Sequence, residues 1–389
     1  MKKTYMLLTG IIFLLNSMIL SAKEPRKVIL FMIDGLHWEA PAKLNMPVLN
    51  GLIKEGTYIQ KSYMIIPHHP TVGDYSSYNS CSFPNPMLHE GTVFIKPGNK
   101  MIQEMVSPKY QTAFVVNTNA YSSVGRGFTT CIMDPLMTDE QVVIQAEDLL
   151  KTQDIRFMRI HLQTPGIMGV SVAMNSAGKS YSKNIWGTGS PYVSAIENAD
   201  KLLGKFIEYL KTSGKWENTV LIVTSDHGQS NVGWHPMLDE DSWMTPLVFV
   251  GDGIARGRSL SYFEHTDLAP TIAWLLGVNA PNNDGGAGKA VKEITEECDV
   301  SGYNPPQYIK TINQQIRTYN ILHARMVLAA EKDNYISNII SSLENENLTP
   351  EPFYHQDRIT DWYKAGSTKH LIEANEKVLE KMQQVLNQK

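Results

Sequence analysis

Two stretches of the sequence place metal-binding side chains directly after a run of apolar residues. Asp34 follows the run 27–33, and Asp226 and His227 follow closely on the run 219–224. Thr71 lies in a turn-rich segment soon after Asp34. Carboxylates and imidazole bind divalent cations, and a bound cation lowers the pKa of a coordinated hydroxyl, which turns a threonine into a nucleophile. An Asp–His pair alone is more often an ordinary polar pair, so the second apolar run is what makes the pattern predict a metal-and-nucleophile site.

The apolar patterning indicates which elements must position these side chains. Strand-length apolar runs occur at 27–33, 111–117, 157–162, 219–224 and 246–250, and apolar residues recur at helical spacing in 47–56, 192–210 and 268–276. Strands that alternate with helices predict an α/β fold with a mostly parallel central sheet and helices on both faces. Ligands of such sheets bind outside the carboxyl ends of the strands. Asp34 and Asp226 both stand at that position.

The two ends of the chain differ in character from its middle. Residues 1–22 have the charged, apolar and small-residue regions of a secretory signal peptide, with cleavage expected after Ala22. An uncleaved membrane anchor is the alternative, but an apolar stretch of about 15 residues is short for a span of about 20. We therefore predict a periplasmic or secreted protein without a stable membrane anchor.

The remaining chain is predicted to divide into a body and a helical extension. We assign residues 23–278 to an α/β domain, 279–306 to a linker or loop rich in Asn, Gly, Asp and Pro, and 307–389 to C-terminal helices packed on the main domain. The extension has apolar residues at helical spacing in 307–343 and again in 369–386.

Charge and cysteine content exclude two classes of site. The 35 basic and 39 acidic residues leave a net charge of −4, which gives no electrostatic footprint for nucleic acid. Cys81, Cys131 and Cys298 are scattered and form no CxxC pair, so a cysteine metal site is excluded. An odd number of cysteines in an exported protein permits one disulfide and requires none.

Residues 28–277 resemble the alkaline phosphatase superfamily, in particular its nucleotide pyrophosphatase/phosphodiesterase branch. The matching motifs are the strand that ends in Asp34-Gly35, the helix segment 46–56, Thr71 as the nucleophile, the metal-binding segment 225–228, His235 as a later metal ligand, and the terminal helix motif 267–277. Each motif alone is weak. Their joint occurrence in order along the chain is specific for the fold.

The resemblance implies a pair of zinc ions, and the sequence departs from the pattern at one of them. One zinc would be held by residues matching Asp34, Thr71, Asp226 and His227. The second zinc needs an Asp, a His and the later His235, but the aligned positions carry Gly166 and Val170, whose side chains cannot bind a metal. We therefore expect one zinc ion or another divalent cation, and do not expect two.

A further departure lies at Asp74, where the family has an Asn that donates a hydrogen bond to the substrate phosphate. An ionised Asp only accepts hydrogen bonds and would repel a phosphate, unless it is protonated, pairs with a cation or is itself a metal ligand. His68, His69, Asn231 and Asp239 are further candidates for an altered site, each with a surface or loop position as the more frequent alternative.

These features and the resemblance predict a metal-dependent hydrolase of phosphoric esters, similar to a phosphodiesterase or pyrophosphatase and acting on a small phosphorylated substrate, with diesters favoured. Thr71 would attack phosphorus in line. The alternative is a catalytically degenerate family member that acts as a ligand-binding protein, which the changes at Gly166, Val170 and Asp74 favour. A formylglycine sulfatase is disfavoured because the segment 69–74 lacks the Cys or Ser that such enzymes require. Gly125-Arg126-Gly127 is too short for a dinucleotide-binding motif and is typical of a turn.

Overall fold

One mixed sheet carries the candidate site at the ends of its central strands. The computed structural model of the chain describes residues 26–65, 77–83, 95, 98–282, 288–345 and 367–387. Within these ranges the strands are β1 (Lys27–Ile33), β2 (Thr57–Tyr63), β3 (Gln111–Val116), β4 (Thr130–Met133), β5 (Ile155–Leu162), β6 (Thr219–Thr224), β7 (Met244–Gly251), β8 (Arg258–Ser259) and β9 (Phe263–Glu264). They form a sheet in the order β4-β3-β5-β1-β6-β7-β2-β8, and β9 pairs with β2.

The helices cover both faces of this sheet and continue beyond it. They are α1 (Ala40–Lys43), α2 (Pro47–Glu55), α3 (Ile102–Val106), α4 (Asp139–Thr152), α5 (Thr164–Met174), α6 (Pro191–Thr212), α7 (Leu268–Leu276), α8 (Tyr308–Ala330), α9 (Asn334–Asn345) and α10 (Thr368–Asn387). Two large apolar clusters lie on opposite faces of the sheet: one contains Phe31 and Phe206, and the other contains Leu30 and Ile272. The predicted fold class is confirmed.

Strand β1 occupies the centre of the sheet because every one of its seven residues is apolar or buried. It pairs in parallel with β5 on one side and with β6 on the other. The exceptions to parallel pairing are β7, which runs antiparallel to both β6 and β2. Parallel neighbours bring their carboxyl ends to the same edge of the sheet, so the residues that follow β1, β5 and β6 meet there.

The C-terminal helices pack against the strand edge formed by β2 and β9. Ile309, Ile312 and Ile316 of α8 lie in one buried cluster with Tyr63 and Trp243. The single helical segment expected at 307–343 is interrupted after Ala330, and the Asp333 carboxylate accepts a hydrogen bond from the backbone N–H of Tyr335 at the start of α9. The domain boundaries assigned from the sequence stay predictions.

Two further sequence predictions meet the structure at this level. No disulfide joins the three cysteines, all of which lie within the described ranges. No helix in the described part of the chain is both long and apolar enough to cross a membrane. The predicted signal peptide, residues 1–22, lies outside the described residues.

A buried carboxylate fixes the start of α8. Glu264 accepts hydrogen bonds from the backbone N–H of Ile309 and from the Tyr262 hydroxyl, each at 2.8 Å. Burial, together with the neighbouring charge of Asp267, raises the pKa of Glu264 to about 8. The folded protein therefore holds this proton more tightly than the unfolded chain does.

We predict that the free energy of unfolding falls as the pH rises from about 4.5 to about 8, because unfolding releases the Glu264 proton in this window. Glu264→Gln keeps an oxygen acceptor and removes the titration, so it should lessen this fall in urea titrations at the two ends of the window. The surface variant Glu55→Gln serves as the control for the loss of one carboxylate outside this cluster. An equally steep fall in Glu264→Gln would contradict the assignment.

Candidate metal centre

Asp34, Asp226 and His227 converge at the carboxyl ends of β1 and β6. The register pairs Met32 with Thr224, which places the residues that follow each strand side by side. One ligand atom from each of the three side chains lies within 4.8 Å of the others. All three are buried, with 2%, 0% and 1% of their surface exposed. Two carboxylates and an imidazole in this arrangement have the chemistry of a divalent-cation site.

The His227 ring is oriented by the backbone of the residue that follows it. Its Nδ1 lies 2.8 Å from the carbonyl oxygen of Gly228, to which it donates a hydrogen bond. Nε2 therefore faces the two carboxylates, 3.8 Å from Oδ1 of Asp34 and 3.5 Å from Oδ2 of Asp226. A second hydrogen bond that fixes the tautomer is typical of histidines that bind metals.

Asp226 offers an oxygen that a cation would satisfy. Its Oδ1 is 3.4 Å from the backbone N–H of Gly35, whereas its Oδ2 is buried and accepts no hydrogen bond from any described residue. Burial raises the pKa of Asp226, but the neighbouring His227 ring and Arg159 guanidinium, among other groups, outweigh it and hold the pKa below its usual range. A buried, ionised oxygen without a donor is unfavourable. The donor set therefore fits a bound cation.

Asp34 is held in place through a single oxygen. Its Oδ2 accepts hydrogen bonds from the Tyr121 hydroxyl at 2.9 Å, from Nε2 of His161 at 3.1 Å and from Nε2 of Gln163 at 2.8 Å. Tyr121 lies in the loop after β3, His161 is the second-last residue of β5, and Gln163 follows β5 directly. Because Oδ2 already accepts three hydrogen bonds, Oδ1 is the oxygen that faces His227.

A buried arginine fixes the protonation of His161. Nη2 of Arg159 lies 3.0 Å from Nδ1 of His161, and a guanidinium can only donate. Nδ1 therefore accepts, and the ring proton sits on Nε2, which donates to Asp34. The Arg159 guanidinium stands over the rings of Phe114 and Tyr78, at 4.4 and 4.8 Å from their centroids. These aromatic contacts stabilise the Arg159 guanidinium in a position that is not exposed to water.

Helix α5 approaches the site closely at Gly166. A Cβ atom at this position would lie 1.8 Å from Oδ1 of Asp34, and one at Gly169 would lie 2.3 Å from Nε2 of Gln229. Helix α5 therefore packs directly against the Asp34 carboxylate. The sequence predicts that Gly166 contributes no metal ligand, and the structure places it in close contact with the Asp34 side chain.

The other predicted site residues do not belong to this three-residue cluster or lie outside the described residues. His235 is 5% exposed and its ring lies on that of His227, with centroids 3.9 Å apart, outside the three-residue cluster. Asn231 accepts a hydrogen bond from the Trp186 indole, and Asp239 accepts one from the backbone N–H of Asp241. Thr71, Asp74, His68 and His69 lie outside the described residues, and their roles stay predictions.

Sequence reasoning did not single out the residues that support Asp34. Tyr121, His161 and Gln163 are separated from Asp34 by 87, 127 and 129 residues. The available signal was a polar His161 within an apolar strand run, followed by Gln163 at the end of the strand that pairs with β1.

Comparisons with known proteins place residues 105–278 in the Sulfatase family model. Among curated relatives, the 2,3-bisphosphoglycerate-independent phosphoglycerate mutase of Prochlorococcus marinus is 26% identical over 186 residues, which is 44% of this chain and 29% of that protein. The multifunctional alkaline phosphatase superfamily protein PehA of Trinickia caryophylli is 34% identical over 98 residues, 23% of this chain and 19% of that protein. The chain therefore spans less than a third of the length of these relatives.

Solved structures resemble the chain over about two thirds of its length. BT4656 in complex with D-glucosamine-2-N,6-O-disulfate has a TM-score of 0.54 at 13% identity and covers 70% of this chain and 81% of its own. Phosphonate monoester hydrolase from Silicibacter pomeroyi gives 0.53 at 15%, covering 72% and 78%. Murine ectonucleotide pyrophosphatase/phosphodiesterase 5 gives 0.52 at 15%, covering 66% and 96%. At these identities the similarity is one of fold.

We predict that Gly166→Ala destabilises the protein by about 1–3 kcal/mol, because the added methyl group must displace Asp34 or α5. Gly51→Ala is the matched control: nothing lies within 4 Å of a Cβ there, and alanine in the helix should stabilise by about 0.5–1 kcal/mol. The free energy of unfolding from urea titration measures both. Wild-type stability in Gly166→Ala would show that the close contact does not exist.

Proposed function

We propose that the chain is a metal-dependent hydrolase of phosphoric esters, because it has the fold of the alkaline phosphatase superfamily. The nucleotide pyrophosphatase branch is one of several groups with this fold. A divalent cation would be held by Asp34, Asp226 and His227, and Thr71 would be the nucleophile. The observation that supports this proposal is the convergence of three buried ligands around a carboxylate oxygen that has no donor among the described residues.

When bound, a divalent cation supplies Lewis-acid activation of a hydroxyl and neutralises charge that develops on the ester oxygens. The chain itself supplies orientation. Tyr121, His161 and Gln163 hold one oxygen of Asp34, so that its other oxygen is directed at the site. The Gly228 carbonyl holds His227 with Nε2 toward the carboxylates. Burial of all three ligands excludes water and strengthens each electrostatic contact.

We propose one cation for the centre, with zinc as the ion that the family resemblance favours. Gly166 lacks a side chain, and its backbone lies too close to Asp34 for a larger residue to fit without a shift. His235 alone would bind a second ion weakly. Without a second cation the leaving group is less stabilised, so we expect slower turnover or a substrate with a good leaving group.

Sulfuric esters are the second candidate substrate. The match of residues 105–278 to the Sulfatase family model and the similarity to arylsulfatase K of Bos taurus, 29% identical over 118 residues, favour them. Against them stands the nucleophile, since Thr71 cannot become the formylglycine on which such sulfatases depend. A threonine oxygen suits attack on phosphorus, and we therefore place phosphoric esters first.

The alternative in a different class is a degenerate member that binds its ligand without turning it over. Asp74, three residues after Thr71 in the sequence, supports this alternative, because an ionised carboxylate in the substrate site would repel an anionic ester. The retained cluster of Asp34, Asp226 and His227 opposes it. We further propose that the protein acts outside the cytoplasm on a small phosphorylated substrate, in keeping with the signal-like residues 1–22.

The metal is the first point to test. We expect the purified protein to bind one divalent cation per chain, and Asp226→Ala to lose it, because this change removes a buried ligand. Elemental analysis after dialysis measures the stoichiometry. Asp239→Ala is the control, because this carboxylate caps a short 3₁₀ helix instead, and it should retain the cation. A wild-type protein that binds no divalent cation would overturn the metal-dependent proposal.

The nucleophile and the ester class are tested together. With matched chromogenic phosphodiester, phosphomonoester and sulfate ester substrates, we expect turnover of a phosphoric ester that falls by a factor of about 10³ or more in Thr71→Ala, because removal of a nucleophile leaves only binding effects. Thr71→Ser, which keeps a hydroxyl, should retain part of the rate. Equal rates in wild type and Thr71→Ala would remove Thr71 from this role, and a preference for sulfate would favour the second candidate.

A further inference from the structure

Gln229 is a buried amide without a hydrogen-bonding role in the described structure. It lies two residues after His227 and has no exposed surface. Neither its Oε1 nor its Nε2 has a hydrogen-bond partner among the described residues. Gln103 is equally buried, but its Nε2 donates to the carbonyl oxygens of Val124 and Arg126. The position of Gln229 is therefore not explained by contacts within the fold.

Two glycines, Gly35 and Gly169, form the cradle that holds this amide. A Cβ atom at Gly35 would lie 2.8 Å from Oε1 of Gln229, and one at Gly169 would lie 2.3 Å from its Nε2. The same atom at Gly35 would lie 3.3 Å from the Cα of Gly166, whose own Cβ would meet Oδ1 of Asp34. Oε1 thus lies against Gly35, the residue that directly follows Asp34, and 2.9 Å from the position of a Cβ at Gly169.

Two buried oxygens near this cradle lack a hydrogen-bond donor among the described residues, and a cation could take the place of that donor. Oδ2 of Asp226, at the end of β6, and Oε1 of Gln229, three residues further on, accept no hydrogen bond from the described residues. A buried carboxylate oxygen and a buried amide oxygen that have left water without gaining a donor are both unfavourable. A cation among them removes both penalties at once.

We propose that Oε1 of Gln229 binds the same cation as Asp34, Asp226 and His227. The inference rests on the proposed metal site and adds a neutral ligand to it. The described donor set then becomes three oxygens and one nitrogen, a composition suited to manganese or magnesium as well as to zinc. The amide fills space beside Gly169 in the turn of α5 that would otherwise carry ligands of a second cation.

Gln229→Met tests this role because methionine keeps the length of the side chain and removes its oxygen. Thermal unfolding of the metal-free protein, followed by titration with ZnCl₂ or MnCl₂ against a chelating dye, provides two readouts that do not depend on activity. We expect the metal-free variant to be at least as stable as wild type, because a buried orphan amide is gone. We expect its cation affinity to fall by about tenfold or more.

Gln103→Met is the matched control, since it removes a buried amide that donates to two backbone carbonyls and to the Met101 sulfur. It should lower the metal-free melting temperature and leave cation affinity unchanged. Gln229→Leu replaces Gln229→Met if the latter does not fold.

Three outcomes of the titration are distinguishable. Reduced cation affinity in Gln229→Met, with Asp226→Ala binding none, supports the proposal. Wild-type affinity in Gln229→Met, with loss in Asp226→Ala, overturns this inference alone. A wild-type protein that binds neither zinc nor manganese overturns the inference together with the proposed function.

Discussion

The fixed carboxylate of Asp34 is the interaction on which the site depends. It stands at the end of the central strand, buried on all sides, where an ionised group is tolerated only if it is fully hydrogen-bonded or binds a cation. Tyr121, His161 and Gln163 satisfy one oxygen from three separate segments of the chain. The order β3-β5-β1-β6 is what brings those segments to one place.

Close packing of α5 against the strand ends limits the side chains that can stand beside Asp34. Gly166 permits the helix to approach Asp34, and Gly169 permits Gln229 to lie beside it. The Asp34 side chain occupies the space that a larger residue at Gly166 would need, and the Gln229 amide occupies the space beside Gly169. This geometry favours the proposed one-cation centre, whose chemistry would rely more on a good leaving group or on donors from the protein.

Much of this arrangement could be predicted from the sequence because its signals are local. The apolar runs that end near Asp34 and Asp226 indicated two neighbouring strand ends, and β1 and β6 are indeed adjacent and parallel. The helix predicted at 268–276 has the bounds Leu268–Leu276. Such features depend on patterns within one segment.

The remaining features could not be predicted because they depend on contacts between distant segments. Nothing near Tyr121 in the sequence indicates a hydrogen bond to Asp34, and the apolar run 157–162 predicts a strand without indicating that His161 pairs with Arg159 and Asp34. Gly166 reads as a missing ligand in sequence, whereas its close contact with Asp34 requires the position of α5. The break between α8 and α9 was missed because apolar spacing continues through it.

The most direct test of the one-cation centre is a crystal structure of the metal-loaded protein with anomalous data collected at the absorption edge of the bound metal. The account predicts one anomalous peak per chain, about 2.0–2.2 Å from ligand atoms of Asp34, Asp226 and His227. Two peaks, with the second beside Gly166 and His235, would contradict it, as would the absence of any peak at the three ligands.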